Sequence, residues 1–252
     1  MNKISKLLFI GALGVSCIAC SLILANKENI KDSANAVVSV ETYYKDADTS
    51  SVSNLISSLH TITNRGYKAV GYDNLWDAYK TTDLKPDGYI MDYYCDVSKY
   101  KPSDRGSSAS KEGVGGYNRE HSIPKSWWGG GTQNQGNDLI IVIPTDVYNN
   151  NRRSNYPLGE TNGETYSSHN NYVKLGKCTY GSYTGTAFEP PEEFKGDLAR
   201  IYMYAIVKWD GYKWTQGNGV EVYDNKCTAP SWGFDEWAQS QLMKWHLEDP
   251  VS

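Results

Sequence analysis

Asn118-Arg119-Glu120-His121-Ser122-Ile123-Pro124 is followed by Asn137-Asp138-Leu139-Ile140-Ile141-Val142-Ile143-Pro144-Thr145-Asp146-Val147-Tyr148-Asn149-Asn150-Asn151-Arg152-Arg153-Ser154-Asn155-Tyr156-Pro157. Tyr117 to Ile123 reads as a short extended piece that Pro124 stops. Asp138 to Ile143 is a continuous apolar run with β-branched residues, which predicts a buried strand ended by Pro144. Thr145 and Asp146 are capping residues for a helix running to about Arg153. The order is therefore strand, loop, strand, helix.

Outward from this unit the signals become helical. Leu55, Ile56, Leu59 and Ile62 recur with helical spacing in residues 51–63, and Leu75, Trp76 and Ala78 mark a shorter helix at 73–81. Gly88 to Cys95, bounded by Pro86-Asp87, predicts a strand, and the Ser-, Gly- and Lys-rich stretch 101–116 a loop. A second, glycine-rich loop spans Gly129 to Gly136. Glu192 to Asp210 carries Leu198, Ile201, Tyr202, Ala205 and Ile206 on one side, and a last helix covers roughly Phe234 to Leu247. Helices at both ends and strands in the middle predict an α+β fold.

The chain has 252 residues, enough for one large domain or two small ones. Lys3 and Lys6 precede an apolar run from Leu7 to Ala25, and Ala34-Asn35-Ala36 offers small residues for cleavage. Residues 1–36 are expected to be a signal peptide, with residues 37–252 as the exported domain. An uncleaved anchor, or a lipidated Cys17 or Cys20, is the competing arrangement. All three export the domain. Setting aside residues 1–36, with four lysines and two acids, takes the net charge from −4 to −6. That sign opposes nucleic-acid binding by bulk charge and requires a local basic cleft or a bound cation. Cys95, Cys178 and Cys227 allow at most one intramolecular disulfide. No Cys-x-x-Cys lies outside the leader, so a cysteine-rich zinc site is not expected.

Glu120 and His121 are adjacent, and adjacent strand residues point to opposite faces, so they converge only where the strand ends or bends, as Pro124 permits. Glu120 and Asn150 offer hard oxygen ligands for a divalent cation: Mg2+, with Mn2+ or Ca2+ as alternatives. A neutral His121 beside that ion serves as general base. Arg153 or Arg152 clamps a phosphate oxygen. Arg119, Lys125, Trp127 and Trp128 are candidates for substrate contact, with core packing the competing use of both tryptophans. Asn149 and Asn151 are expected in solvent, since one helix points a single residue of the three at a given spot. His169 has no evident partner, and His60 and His246 read as structural or exposed. Ser122 lacks a Gly-x-Ser-x-Gly turn, which disfavours a serine hydrolase. No phosphate-binding glycine loop is present, so no nucleotide cofactor is expected.

These segments resemble the bacterial endonuclease I family of periplasmic and secreted DNases and extracellular ribonucleases. Arg119-Glu120-His121 with Pro124 matches its Arg-Glu-His-x-x-Pro. Asp138-Leu139 with Pro144 matches the next motif, and Asn150, Arg153, Ser154 and Asn155 match Asn-x-x-Arg-Ser-Asn. Phe188-Glu189-Pro190, Lys195 to Arg200 and Lys244 to Pro250 extend the similarity to the end of the chain. The resemblance implies a ββα-metal nuclease core and His121 as base. It also implies Glu120 and Asn150 as ligands of one cation, and hydrolysis of DNA, RNA or both to 5′-phosphates by a monomer. Two departures stand out: Ile140-Ile141 replaces a polar pair common in the family, and the chain stops at Ser252 without the family's Arg- and Asn-containing tail. The competing functions are a catalytically weakened nucleic-acid-binding surface protein and a carbohydrate-binding or adhesive domain using its 20 Tyr and 8 Trp.

Overall fold

Ser39 and Ser51 each cap a helix with a side-chain oxygen, which accepts the N–H of Thr42 at 3.2 Å and of Asn54 at 3.1 Å. The helices are α1 (Val40–Tyr43) and α2 (Val52–Asn64), followed by α3 (Leu75–Thr82). The computed structural model describes residues 39–131, 134–209, 214–223 and 233–250. The expected leader with Cys17 and Cys20, and Cys227, lie outside the described residues. Among those described, no helix is long and apolar enough to cross a membrane, and Cys95 and Cys178 are free thiols.

β1 (Tyr117–His121) and β2 (Val142–Asp146) form a two-stranded antiparallel ribbon, with Tyr117 opposite Asp146, Arg119 opposite Pro144 and His121 opposite Val142. Gly116 leads into β1 at φ 91°, and a Cβ there would stand 2.3 Å from the Asp104 carbonyl oxygen, so only glycine fits. The second strand begins later than the apolar run predicts and passes through Pro144 instead of ending at it. Asp138 causes the shift: its Oδ1 accepts the Ile140 N–H at 3.0 Å and its carbonyl accepts those of Ile141 and Val142, making a turn of 138–141. Pro144 is tolerated because it sits at a non-hydrogen-bonded position of the ribbon: its backbone faces away from β1, where its carbonyl accepts the Tyr93 N–H at 3.3 Å, so the ladder requires no N–H from it. Helix α4 (Val147–Arg153) follows at once, capped by Asp146 Oδ1 on Asn149 N at 2.9 Å.

The predicted strand over Gly88–Cys95 is absent. Its backbone groups disperse: Ile90 N–H bonds Tyr100, Met91 bonds Asp83, and Tyr93 bonds the Pro144 carbonyl. A three-stranded antiparallel sheet that the sequence does not announce follows α4: β3 (Tyr166–Ser167), β4 (Lys174–Lys177) and β5 (Thr186–Glu189), in the order β3-β4-β5. Helix α5 (Lys195–Lys208) is buried on nearly all sides, as a helix apolar around most of its surface must be. It packs against α6 (Glu236–Glu248) and α2. The main core joins α3, the ribbon, the sheet and α5 through large rings, among them Tyr79, Tyr117, Trp127, Phe188, Tyr202 and Trp245. Burying each such side chain contributes about 1.5–3 kcal/mol. The observed architecture is α+β, with short strands between terminal helices.

Candidate active site

The last two residues of β1 enter different surroundings. Glu120 points into protein, where Oε1 accepts from Arg153 Nη1 at 2.6 Å and from the Tyr94 hydroxyl at 3.2 Å. Burial pushes its carboxyl up to about 7, against the opposing pull of Arg153. Both named bonds fall on Oε1, so neither engages Oε2. The Arg153 guanidinium is 0% exposed and also donates to the carbonyls of His121 at 2.8 Å and Ser122 at 2.5 Å. Tyr202 OH donates to the same Ser122 carbonyl at 2.9 Å. Burial alone would lower the Arg153 pKa, but the Glu120 charge, aided by Tyr202 and Tyr94, reverses the shift and holds it above its ordinary value.

His121 is buried on the other side of the bend. Its Nε2 lies 3.1 Å from the Gly136 carbonyl. A carbonyl only accepts, so Nε2 carries the hydrogen and Nδ1 keeps a lone pair. Tyr72 stacks on the imidazole at 5.8 Å between centroids, and Trp128 stands at 6.0 Å. Burial, reinforced by Lys125 and opposed by the Gly136 bond, lowers the imidazole to about 3. The titration near pH 6.5 that a free histidine suggests is therefore displaced: His121 is neutral throughout the physiological range.

Asn150 is half-buried on α4, three residues before Arg153 and so on a neighbouring part of the helix surface. Among the described residues no hydrogen bond engages its side chain. Asn149 departs from expectation. It is buried, donating from Nδ2 to the Tyr94 carbonyl at 2.8 Å and accepting the Tyr166 hydroxyl on Oδ1 at 2.8 Å. Asn151 is exposed.

The candidate substrate contacts separate clearly. Trp127 is 0% exposed, with Nε1 donating to the Asn155 carbonyl at 3.2 Å, so it is a core residue with no ring face for a base. Trp128 is also buried and packs edge-on against Trp214 at 5.5 Å. Arg119 is sandwiched, its guanidinium 3.6 Å from the Tyr72 ring centre and 4.5 Å from that of Trp76, and donates to the Tyr72 carbonyl at 2.7 Å. Lys125 places its ammonium over the Tyr72 ring, 5.6 Å from its centre. Arg152 is exposed, donates to the Tyr148 hydroxyl at 2.7 Å and lies over the Tyr148 and Tyr166 rings. Arg153, by contrast, has no solvent-facing donor for a phosphate: its enclosure assigns both terminal nitrogens to protein acceptors.

Other residues find partners that spacing did not suggest. His169 pairs through its ring Nδ1 with Asp96 at 3.0 Å, and its backbone N–H donates to Glu112 at 2.8 Å. His246 is buried beside Arg200, and His60 bonds the Val207 carbonyl at 3.0 Å. The Ser122 hydroxyl donates to the Ile141 carbonyl at 2.8 Å and is no nucleophile candidate. Tyr94, Tyr72, Tyr202 and Gly136, which fix the site, carry no sequence signature beyond an aromatic-rich composition and a glycine loop.

Comparison with known proteins gives this geometry its context. The family model described as endonuclease I matches residues 51–252. An extracellular ribonuclease of Bacillus amyloliquefaciens is 34% identical over 220 residues, covering 84% of this chain and 67% of that protein. An extracellular ribonuclease of Bacillus subtilis (strain 168) is 31% identical over 222 residues, with the same coverage. No solved structure matches. The chain belongs to the endonuclease I family and is a nuclease, an enzyme of phosphodiester hydrolysis.

Proposed function

We propose that the protein is a secreted, divalent-cation-dependent endonuclease that cleaves RNA, and DNA where accessible, to 5′-phosphate products. One observation carries the reading: Gly136 orders the His121 tautomer so that Nδ1 is the acceptor, at the end of the strand that also presents Glu120. Secretion and the preference for RNA draw support from the two Bacillus relatives, both extracellular ribonucleases.

Glu120 and Asn150 fit a hard cation. Oε2 of the one and the amide oxygen of the other are hard donors not engaged by the bonds described above. When bound, Mg2+, Mn2+ or Ca2+ there would neutralise charge on the pentacoordinate phosphorus and on the departing 3′ oxygen. His121 Nδ1 takes one proton from a water molecule as that water's oxygen attacks phosphorus in line with the 3′ oxygen. The P–O3′ bond breaks, the 3′ oxygen takes a proton from solvent, and His121 returns its own. Arg153 acts one step away, as a positioning residue that holds Glu120 and the carbonyls of His121 and Ser122. Exposed Arg152 and half-buried Lys125 are the cationic groups for substrate phosphates.

The test is digestion of total RNA and of plasmid DNA by the purified protein, with Mg2+ and with chelator. RNA cleavage that chelator abolishes is expected, and His121→Ala should lose about 10²–10⁴-fold in kcat while keeping its circular dichroism. Digestion by His121→Ala at the parental rate would overturn the assignment.

A further inference from the structure

A second buried polar cluster lies behind the proposed catalytic residues, where the irregular segment before β1 meets the start of α4. Asp92, Cys95 and Asp146 are all buried, and one carboxylate oxygen from each acid and Cys95 Sγ lie within 4.8 Å of one another. Asp92 is 8% exposed. Its Oδ1 accepts the N–H groups of Tyr94 at 3.0 Å and Asp146 at 2.9 Å, while Oδ2 is buried and has no hydrogen-bond partner. Asp146 accepts Asn149 N–H on Oδ1, and the Tyr100 hydroxyl at 2.7 Å and Gly113 N–H at 3.1 Å on Oδ2. The Ser98 hydroxyl stands beside Asp92 and is directed at the Cys95 carbonyl, 3.5 Å away.

No ion pair among the described residues includes either acid. Buried carboxylates without a counter-ion are costly, and proteins resolve the cost by protonation, by pairing or by a metal. The unpartnered Asp92 Oδ2 is the observation that points to a ligand. The donor set then selects among cations. Mg2+ and Ca2+ have no use for sulfur, whereas two carboxylates and a thiolate suit a borderline ion such as Zn2+. Zn–O and Zn–S bonds of about 2.0–2.3 Å at tetrahedral angles place two donors on one ion about 3.4–3.6 Å apart, so donors that lie within 4.8 Å of one another reach an ion by side-chain shifts of up to about an ångström.

We propose that Asp92, Cys95 and Asp146 bind a structural divalent cation of the zinc class, separate from the ion proposed at Glu120 and Asn150. Binding displaces the Cys95 proton to solvent and forms a metal–thiolate bond. The ion would tie the irregular segment to the N-cap of α4. Asp92 is two residues from Tyr94, which touches Glu120, and Asp146 caps the helix that carries Asn150 and Arg153.

Co2+ distinguishes this site from the catalytic one, which has no sulfur. Chelator-treated protein titrated with Co2+ should develop a near-ultraviolet thiolate-to-cobalt charge-transfer band. Zn2+ should abolish that band. Thiol labelling at Cys95 should fall at least tenfold with Zn2+, with Cys178 as the internal reference. Cys95→Ser should lose the band and one equivalent of retained zinc, and Asp92→Asn should weaken zinc binding at least tenfold. Should Asp92→Asn fail to fold, the wild-type band and the Cys95→Ser comparison decide alone. An absent band, or zinc content unchanged in Cys95→Ser, overturns the proposal and leaves two acids sharing a proton. Neither readout depends on nuclease activity.

Discussion

Arg153 spends its two terminal nitrogens on Glu120, the His121 and Ser122 carbonyls and Tyr202, and only Nε is left without a partner. A planar fork reaches several acceptors at once, which a lysine ammonium on a flexible stem does not. Arg153→Lys keeps the charge beside Glu120 but cannot hold both carbonyls, and is expected to cost about 2–3 kcal/mol. Arg153→Ala leaves a buried carboxylate unpaired and is expected to cost about 3–5 kcal/mol. Because the guanidinium does not face solvent, Arg153→Lys should lower kcat with little change in KM. A rise in KM at constant kcat would assign it to substrate phosphate instead. The sequence pattern offers Arg153 or Arg152 as a phosphate clamp and does not announce the enclosed contact of Arg153 with Glu120. Adjacent arginines at 152 and 153 carry the same charge, and only packing decides which is enclosed.

At the scale of elements, α4 divides its three asparagines by face. Asn149 faces the irregular segment and β3, Asn150 is half-buried, and Asn151 faces solvent. Asn149→Ala strips a partner from the Tyr94 carbonyl and the Tyr166 hydroxyl, and should cost about 1–3 kcal/mol. Asn151→Ala should stay within about 0.5 kcal/mol. Urea unfolding separates the two by midpoint at unchanged slope, and equal midpoints would remove Asn149 from its bracing role. The same logic explains which elements the sequence reveals. Helices α2, α5 and α6 announce themselves by long apolar periodicity, joined in α2 and α6 by the capping residues Ser51 and Asp235. Strands of two to four residues, such as Tyr166–Ser167 and Lys174–Lys177, are too short and too polar to show alternation. Ile140-Ile141 looks like strand and is turn because Asp138 captures the local N–H groups, that of Ile140 on its side chain and those of Ile141 and Val142 on its carbonyl, before β2 begins.

Across the whole molecule, the interior holds acids and bases in nearly equal number. Among the described residues, Asp92, Glu120, Asp138, Asp146 and Glu189 are buried, and so are Arg153, Lys195, Arg200 and Lys208. Burial therefore does little to relieve the negative net charge of the surface, and substrate must be drawn by local cations such as Arg152, with affinity that falls as salt rises. Asp138 links the ribbon to α5, since Oδ2 accepts both the Tyr204 hydroxyl and the Trp209 indole N–H at 3.0 Å. Burial raises its pKa, and the donors around it, Ile140 N–H, Tyr204 and Trp209, together with nearby Lys208, do not bring it back. The folded protein thus holds this proton over a pH range in which the unfolded chain, at about 3.9, has lost it. The contribution of Asp138 to stability is complete below the unfolded value and shrinks as pH rises through the folded one. Asp138→Asn, which does not titrate and presents an amide N–H toward the Trp209 donor, should destabilise the protein more at pH 4 than at pH 7. Unfolding free energies of the two proteins at both pH values give the comparison. A deficit that instead grows toward pH 7 would mean that the three donors outweigh burial and hold Asp138 ionised at the junction between the ribbon and α5.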